Sequence, residues 1–159
     1  MIYGDPFYFS LQFDFVENWN LPDDIWKNGV FSLYIDGNRL FDKIEAFELK
    51  TIFNFYLKSP INELFINDMD ISSVDLYKNA ESYFTGDGEN LISGLFDLTC
   101  TAMEDNGCYL YFIKTSSYDR LVWSIDNGEN INETLLPLGT IIKVINKLDQ
   151  GDILNNTLL

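Results

Sequence analysis

Between residues 7 and 16 the chain alternates: Phe7, Phe9, Leu11, Phe13 and Phe15 fall on one side, and Tyr8, Ser10, Gln12, Asp14 and Val16 on the other. Period two marks a strand with one buried face, and five bulky residues on that face put the strand at the centre of the core. Residues 17–28 lose the period. Trp19, Pro22 and Trp26 stand there among Asn and Asp, a composition that reads as a long loop or a short helical turn. A second strand is expected over 30–35, with Phe31, Leu33 and Ile35 inward. Asp36-Gly37 then signals a two-residue hairpin, because both central positions tolerate positive φ, and a third strand begins at Asn38. Residues 45–55 alternate again, with Phe47, Leu49, Thr51, Phe53 and Phe55 on one face, and predict a fourth strand.

The middle of the chain has a weaker pattern. Ser59-Pro60 punctuates it and suits the opening of a helical turn. Residues 73–84 are read as a helix with Val74, Tyr77 and Tyr83 or Phe84 inward, and 91–103 as extended. Asn106-Gly107 is a second hairpin signal. Segments 109–114 and 120–125 continue a meander that Asp126-Asn127-Gly128 ends. After Pro137 and Gly139, Thr140 is placed to cap a last helix in which Ile141, Val144, Ile145 and Leu148 recur at helical spacing, with Gly151 at its end. The β-branched content of that segment keeps a strand as the alternative. Hairpins, a meander and one or two packed helices make an α+β protein, expected as a single domain over residues 1–159.

Composition supports a substantial core. Of 159 residues 47% are apolar, and 13 Phe and 9 Tyr argue against disorder despite the charge. The opening residues carry no basic segment followed by an apolar run, and no stretch of 18 apolar residues occurs, so the expectation is a cytoplasmic protein with no membrane partner. Cys100 and Cys108 are then expected as two buried thiols. A disulfide between them across the expected hairpin at Asn106-Gly107 is the alternative if the geometry allows.

The charge changes the picture most. There are 25 acidic residues against 10 basic ones, a net of −15, and no histidine. Without histidine, Ser-His-Asp and Cys-His arrangements cannot be built. Two cysteines and no histidine do not suit structural zinc. Asp68, Asp70 and Ser72 alternate as in a calcium loop, but Ser73 stands where the turn glycine belongs and Asn79 where the bidentate glutamate belongs. Gly86-Asp87-Gly88 opens like a dinucleotide fingerprint but has Leu91 at the third glycine. The expectation is no enzyme, no cofactor and no metal. Lys and Arg are too few and scattered for direct nucleic-acid binding.

A net of −15 exceeds the magnitude of roughly 2–8 that suffices for solubility of a small domain. It costs stability through self-repulsion, and long-range attraction of a basic partner offsets that cost. The candidate partner-binding residues are the loop acids Asp23, Asp24, Asp68, Asp70, Asp87, Glu89, Glu104 and Asp105, with Trp19 or Trp26 as an exposed aromatic anchor. The other reading of the two tryptophans is that both close the edge of the core. Trp123, in an alternating segment, is expected in the core.

The opening Met1-Ile2-Tyr3-Gly4-Asp5-Pro6-Phe7-Tyr8-Phe9, the run Phe13 to Trp19, the stretch from Asn28-Gly29 to Asp36-Gly37, then Trp123 and Leu136-Pro137-Leu138-Gly139, resemble the immunity protein 42 family of bacterial polymorphic-toxin systems. The resemblance runs the length of the chain and is weakest over 60–95. It implies an α+β protein that binds the catalytic domain of a cognate secreted or contact-delivered toxin and has no activity of its own. It further implies that Gly4 and Pro6 shape a tight chain entry, Gly29 a turn and Gly37 the hairpin, with recognition in the acidic loops. Many such toxins are nucleases with basic clefts, which an acidic inhibitor suits. Two other readings of the acidity stay open: a DNA mimic that inhibits a nucleic-acid-binding protein, and a hydrolase built on a carboxylate pair.

Overall fold

The computed structural model describes residues 1–149. The fold is α+β, with two antiparallel sheets and four α-helices among the described residues. The chain forms two compact units, one from Met1–Ser59 with the segment that starts at Ile141, the other from Pro60–Thr140.

In the first unit β1 (Ile2–Asp5), β2 (Phe9–Phe15), β3 (Asn28–Ile35) and β4 (Asn38–Phe41) pair in that order, and the short β5 (Phe47–Glu48) joins the far end of β3. The expected alternation in β2 holds where it counts: Phe9, Leu11 and Phe13 are buried, while Phe7 lies outside the strand and is exposed. Asp36 and Gly37, at φ +50° and +75°, make the two-residue turn between β3 and β4. The buried face is an aromatic cluster. Phe31 lies 5.3 Å from Phe13, 5.7 Å from Phe41 and 6.0 Å from Tyr56, centroid to centroid.

Residues 45–55 do not form the expected strand. Only Phe47 and Glu48 are extended, and α1 (Leu49–Leu57) follows. The segment satisfies both periods. Phe47, Leu49, Thr51 and Phe53 alternate, but Leu49, Ile52, Phe53 and Tyr56 recur at helical spacing, and these four are the buried ones. Glu48 decides between the two by accepting the amides of Lys50 and Thr51 at the helix start. Helix α1 covers the aromatic face, with Phe53 6.0 Å from Tyr3 and 5.4 Å from Phe13.

The opposite face of this sheet is met by a helix from far along the chain. The last helix forms as its spacing predicts, Thr140–Leu148, with Ile141, Val144, Ile145 and Leu148 buried; Gly151 lies outside the described residues. We number it α4. Its Val144 lies over Gly4, where a Cβ would come within 2.8 Å of Val144 Cγ2 and 2.2 Å of the Phe9 carbonyl oxygen. Gly4 is thus a strand residue at φ +101° under a helix, rather than part of a chain entry. Gly29 likewise stands inside β3, against Asp14 and Leu49, rather than at a turn.

The second unit opens with Pro60 before a 3₁₀ turn, Ile61–Glu63, then a loop and α2 (Ser73–Thr85). Ser72 caps α2, its Oγ accepting the Asp75 amide at 3.1 Å. The sheet is a meander: β6 (Leu95–Asp97), β7 (Tyr109–Lys114), β8 (Tyr118–Ser124) and β9 (Asn132–Pro137). Leu76, Tyr77 and Ala80 of α2 pack on Leu95, Tyr111, Ile113 and Val122. The helix therefore presents Tyr77 inward as expected, whereas Val74 and Tyr83 are exposed. Trp123 is half-buried, its Nε1 donating to Thr134 Oγ1 at 3.1 Å.

Residues 91–103 are less extended than expected. Three residues form β6, and a one-turn helix α3 (Thr101–Glu104) follows. Asn106-Gly107 is not a hairpin. A hairpin turn of that type needs positive φ at both positions, and here only Gly107 has it, at +69°. The Gly107 amide bonds the Glu104 carbonyl and the Cys108 amide the Met103 carbonyl, which is the hydrogen-bond pattern of a glycine-terminated helix end. Cys100 and Cys108, at the two ends of this turn, are buried and not joined by a disulfide.

Candidate partner-binding surface

The loop 16–28 of the first unit carries Trp19, Asp23, Asp24 and Trp26. Its neck is closed by Asn20, whose Nδ2 donates to the carbonyls of Val16 (2.7 Å) and Asn28 (2.9 Å), while its Oδ1 accepts the Asn28 amide at 2.7 Å. Farther out, Lys50 Nζ donates to the Ile25 carbonyl at 2.8 Å and the Lys27 amide donates to Glu48 Oε1 at 3.2 Å. The amide of Leu49 bonds the Lys27 carbonyl at 2.8 Å. Yet the loop's large apolar side chains stay in water: Trp19 is 40% exposed, Leu21 74%, Ile25 72% and Trp26 55%. Neither tryptophan is among the buried core residues.

Beside this loop opens a cavity of about 510 Å³ lined by Phe15, Glu17, Asn18, Asn20, Leu21, Pro22 and Lys27. Lys27 Nζ sits 5.8 Å from the centroid of the Phe15 ring, so the aromatic wall already holds a cation.

Glu48 links this loop to α1. Burial works to raise its carboxyl, but hydrogen bonds from the Thr51 hydroxyl and from the amides of Lys27, Thr51 and Lys50 outweigh that and hold it below the usual carboxylate range. Because the folded value is depressed, its stabilisation is present above the ordinary glutamate range and is lost as pH falls through the folded value. Glu48→Ala is expected to cost about 1–2 kcal/mol at neutral pH, the cost of a lost helix cap. The deficit relative to the parent protein should shrink on acidification, as urea unfolding at pH 7 and pH 4 will show.

In the second unit Asp68 and Asp70 lie exposed on the loop before α2, near exposed Phe65, Ile66 and Met69. Asp68 also has a structural partner, the Ser116 amide at 2.8 Å. Ser72, the third member of the calcium-like pattern, is committed to the cap of α2. No cluster of three or more potential metal ligands occurs among the described residues. Asp87 and Glu89 occupy the turn after α2. Thirteen residues of helix separate them from the Asp68–Asp70 loop, roughly 20 Å at 1.5 Å per residue, so the two pairs do not form one patch.

Glu104 and Asp105, exposed at the end of α3, belong to a larger group that sequence reading missed. Burial and then the charges of Glu104, Glu81, Asp97 and Asp105 push the Tyr109 hydroxyl up. Asp97 is itself raised, by burial first and by Glu104 last, while Thr99 opposes with a side-chain and an amide hydrogen bond. Burial and Asp97 push the Tyr111 hydroxyl up as well. Asp97 and Tyr111 are register partners on β6 and β7, and Glu81 comes from α2. Only strand pairing and helix docking bring these groups together. Leu21 and Ile25, by contrast, were legible as large aliphatic residues in an otherwise polar loop.

No helix among the described residues is long and apolar enough to cross a membrane. No curated protein matches the chain at a significant level. Among solved structures, the crystal structure of CdiI from Burkholderia dolosa AUO158 is similar, with a TM-score of 0.73 over 94% of this chain and 99% of that one. At 18% identity that likeness concerns the fold. The family profile described as Immunity protein 42 matches residues 1–151, nearly the whole sequence, and on that match the chain belongs to the Immunity protein 42 family.

Proposed function

We propose that this chain is a cytoplasmic immunity protein that binds and neutralises a cognate bacterial toxin domain through an acidic surface and performs no reaction itself. Family membership over residues 1–151 carries the reading, and the similarity in fold to CdiI agrees with it. The net charge of −15 supports a basic partner, such as a nuclease whose cleft is built for phosphates. The partner-binding residues in this reading are Trp19, Asp23, Asp24 and Trp26 on one loop, with Asp68, Asp70, Asp87, Glu89, Glu104 and Asp105 adding to the attracting field.

The direct test is co-expression with the toxin domain encoded in the neighbouring reading frame. Growth should be restored, and the two chains should co-purify. A linked toxin that still kills and is not captured would overturn the proposal. Steering makes a separate prediction. The association rate should fall by at least about tenfold between low salt and several hundred millimolar salt, since screening shortens the reach of the field. A flat profile in stopped-flow measurements would remove steering while leaving binding in place.

A further inference from the structure

The loop 17–28 spends hydrogen bonds on holding a conformation that buries none of its own large apolar side chains. Scattered exposed apolar residues are ordinary. Here four of them, Trp19, Leu21, Ile25 and Trp26, fall within eight positions and are 40–74% exposed. Folding gains little from this arrangement. A loop already braced by Asn20, Lys50 and Glu48 loses less freedom when a partner covers it, and so wastes less of the binding energy. Tryptophans fixed by two torsions suit the role of anchors.

The charge beside the loop indicates what covers it. Phe15, Leu21 and Pro22 give the neighbouring cavity apolar walls, and its Glu17 carboxylate is offset by Lys27 in the same lining. Asp23 and Asp24 stand on the same loop. Exposed apolar side chains flanked by these two carboxylates complement a basic protein face with apolar side chains of its own, and the net charge of −15 favours the same partner.

The geometry points to this loop as the main docking site for the toxin, whose basic face meets Asp23 and Asp24 while its apolar side chains cover Trp19, Leu21, Ile25 and Trp26. This rests on the immunity reading above and adds the place and the chemistry of contact.

The test uses the full chain and the purified toxin domain encoded beside it, with affinity measured by calorimetry. Trp19→Ala and Trp26→Ala should each weaken binding by about 30-fold or more, as hot-spot anchors do. Their thermal midpoints should fall by no more than a few degrees, since neither side chain is buried in the core. Asp23→Asn with Asp24→Asn should slow association up to about tenfold. Phe65→Ala, on the exposed loop of the second unit, should leave affinity within about threefold. In a Trp123→Phe background the emission of Trp19 and Trp26 should shift to the blue on saturation with toxin. Unchanged emission, or a Trp19→Ala/Trp26→Ala double variant that binds within about threefold of a parent that does bind, would sink this inference and leave the immunity reading intact. A parent chain that fails to bind the toxin at all sinks both.

Discussion

Replacing Phe31 with alanine is expected to lower the unfolding free energy by about 3–5 kcal/mol, the range for emptying a large aromatic site in a packed core. Phe31 is fully buried in β3, the strand to which β2, β4 and β5 all pair. Its ring touches a cluster drawn from four elements: Phe13 of β2 and Tyr56 of α1 contact it directly, Phe41 of β4 does the same, and Tyr3 of β1 joins through Phe13. These neighbours are rigid rings anchored on different elements, so they cannot collapse into the space without moving strands. Domains of this kind are stable by about 5–15 kcal/mol, so the loss is a large share of the total. Urea unfolding followed by circular dichroism measures it. The exposed Phe65→Ala serves as the reference and should change stability by no more than about 0.5 kcal/mol. A Phe31→Ala cost below about 1 kcal/mol would contradict the packed aromatic core.

Gly4→Ala should cost about 3 kcal/mol or more, from two sources that a second variant separates. The backbone at Gly4 has φ +101°, a conformation side-chain-bearing residues rarely adopt. An added Cβ would also stand 2.2 Å from the Phe9 carbonyl oxygen and 2.8 Å from Val144 Cγ2. The carbonyl belongs to the strand paired with β1, so relief requires breaking that pairing or lifting α4. Gly139 has a comparable φ of +79° but open space around its Cβ position. Gly139→Ala should therefore show the backbone cost alone, about 1 kcal/mol. The difference between the two thermal unfolding curves measures how strongly the β1–β2 pairing and the seat of α4 together resist the added methyl. Equal losses would mean that the strand pairing and the helix both give way at no cost.

The misread segments share a physical cause. Residues 49–56 carry apolar side chains at spacings that serve a strand and a helix equally, and the choice fell to one carboxylate, Glu48, and to an aromatic sheet face waiting to be covered. Asn106-Gly107 supplies a residue tolerant of positive φ, which a hairpin and a helix end both need. The preceding turn Thr101–Glu104 chose the helix end. The strand Ile2–Asp5 lay ahead of the first segment read as extended, because four residues interrupted by Gly4 show no period.

The surface was legible to a similar degree. The excess of carboxylates and the two tryptophans beside Asp23-Asp24 are plain in the sequence, and the structure keeps both tryptophans exposed. That Asn20 would tie the loop shut, that Phe15 and Lys27 would form a cavity wall, and that Asp97 and Glu81 would join Glu104 all depend on pairings across the chain.

Local chemistry by itself determined the strand at Phe9–Phe15, the turn at Asp36-Gly37, the helix that Ser72 caps and the helix Thr140–Leu148, and the strong negative field, because periodicity, turn preference and charge act over a few residues or simply add. Tertiary structure alone decided which aromatic face residues 49–56 cover, which strand lies beneath α4, and which carboxylates become neighbours. Those outcomes depend on contacts between residues as far apart as Gly4 and Val144, and no local pattern encodes them.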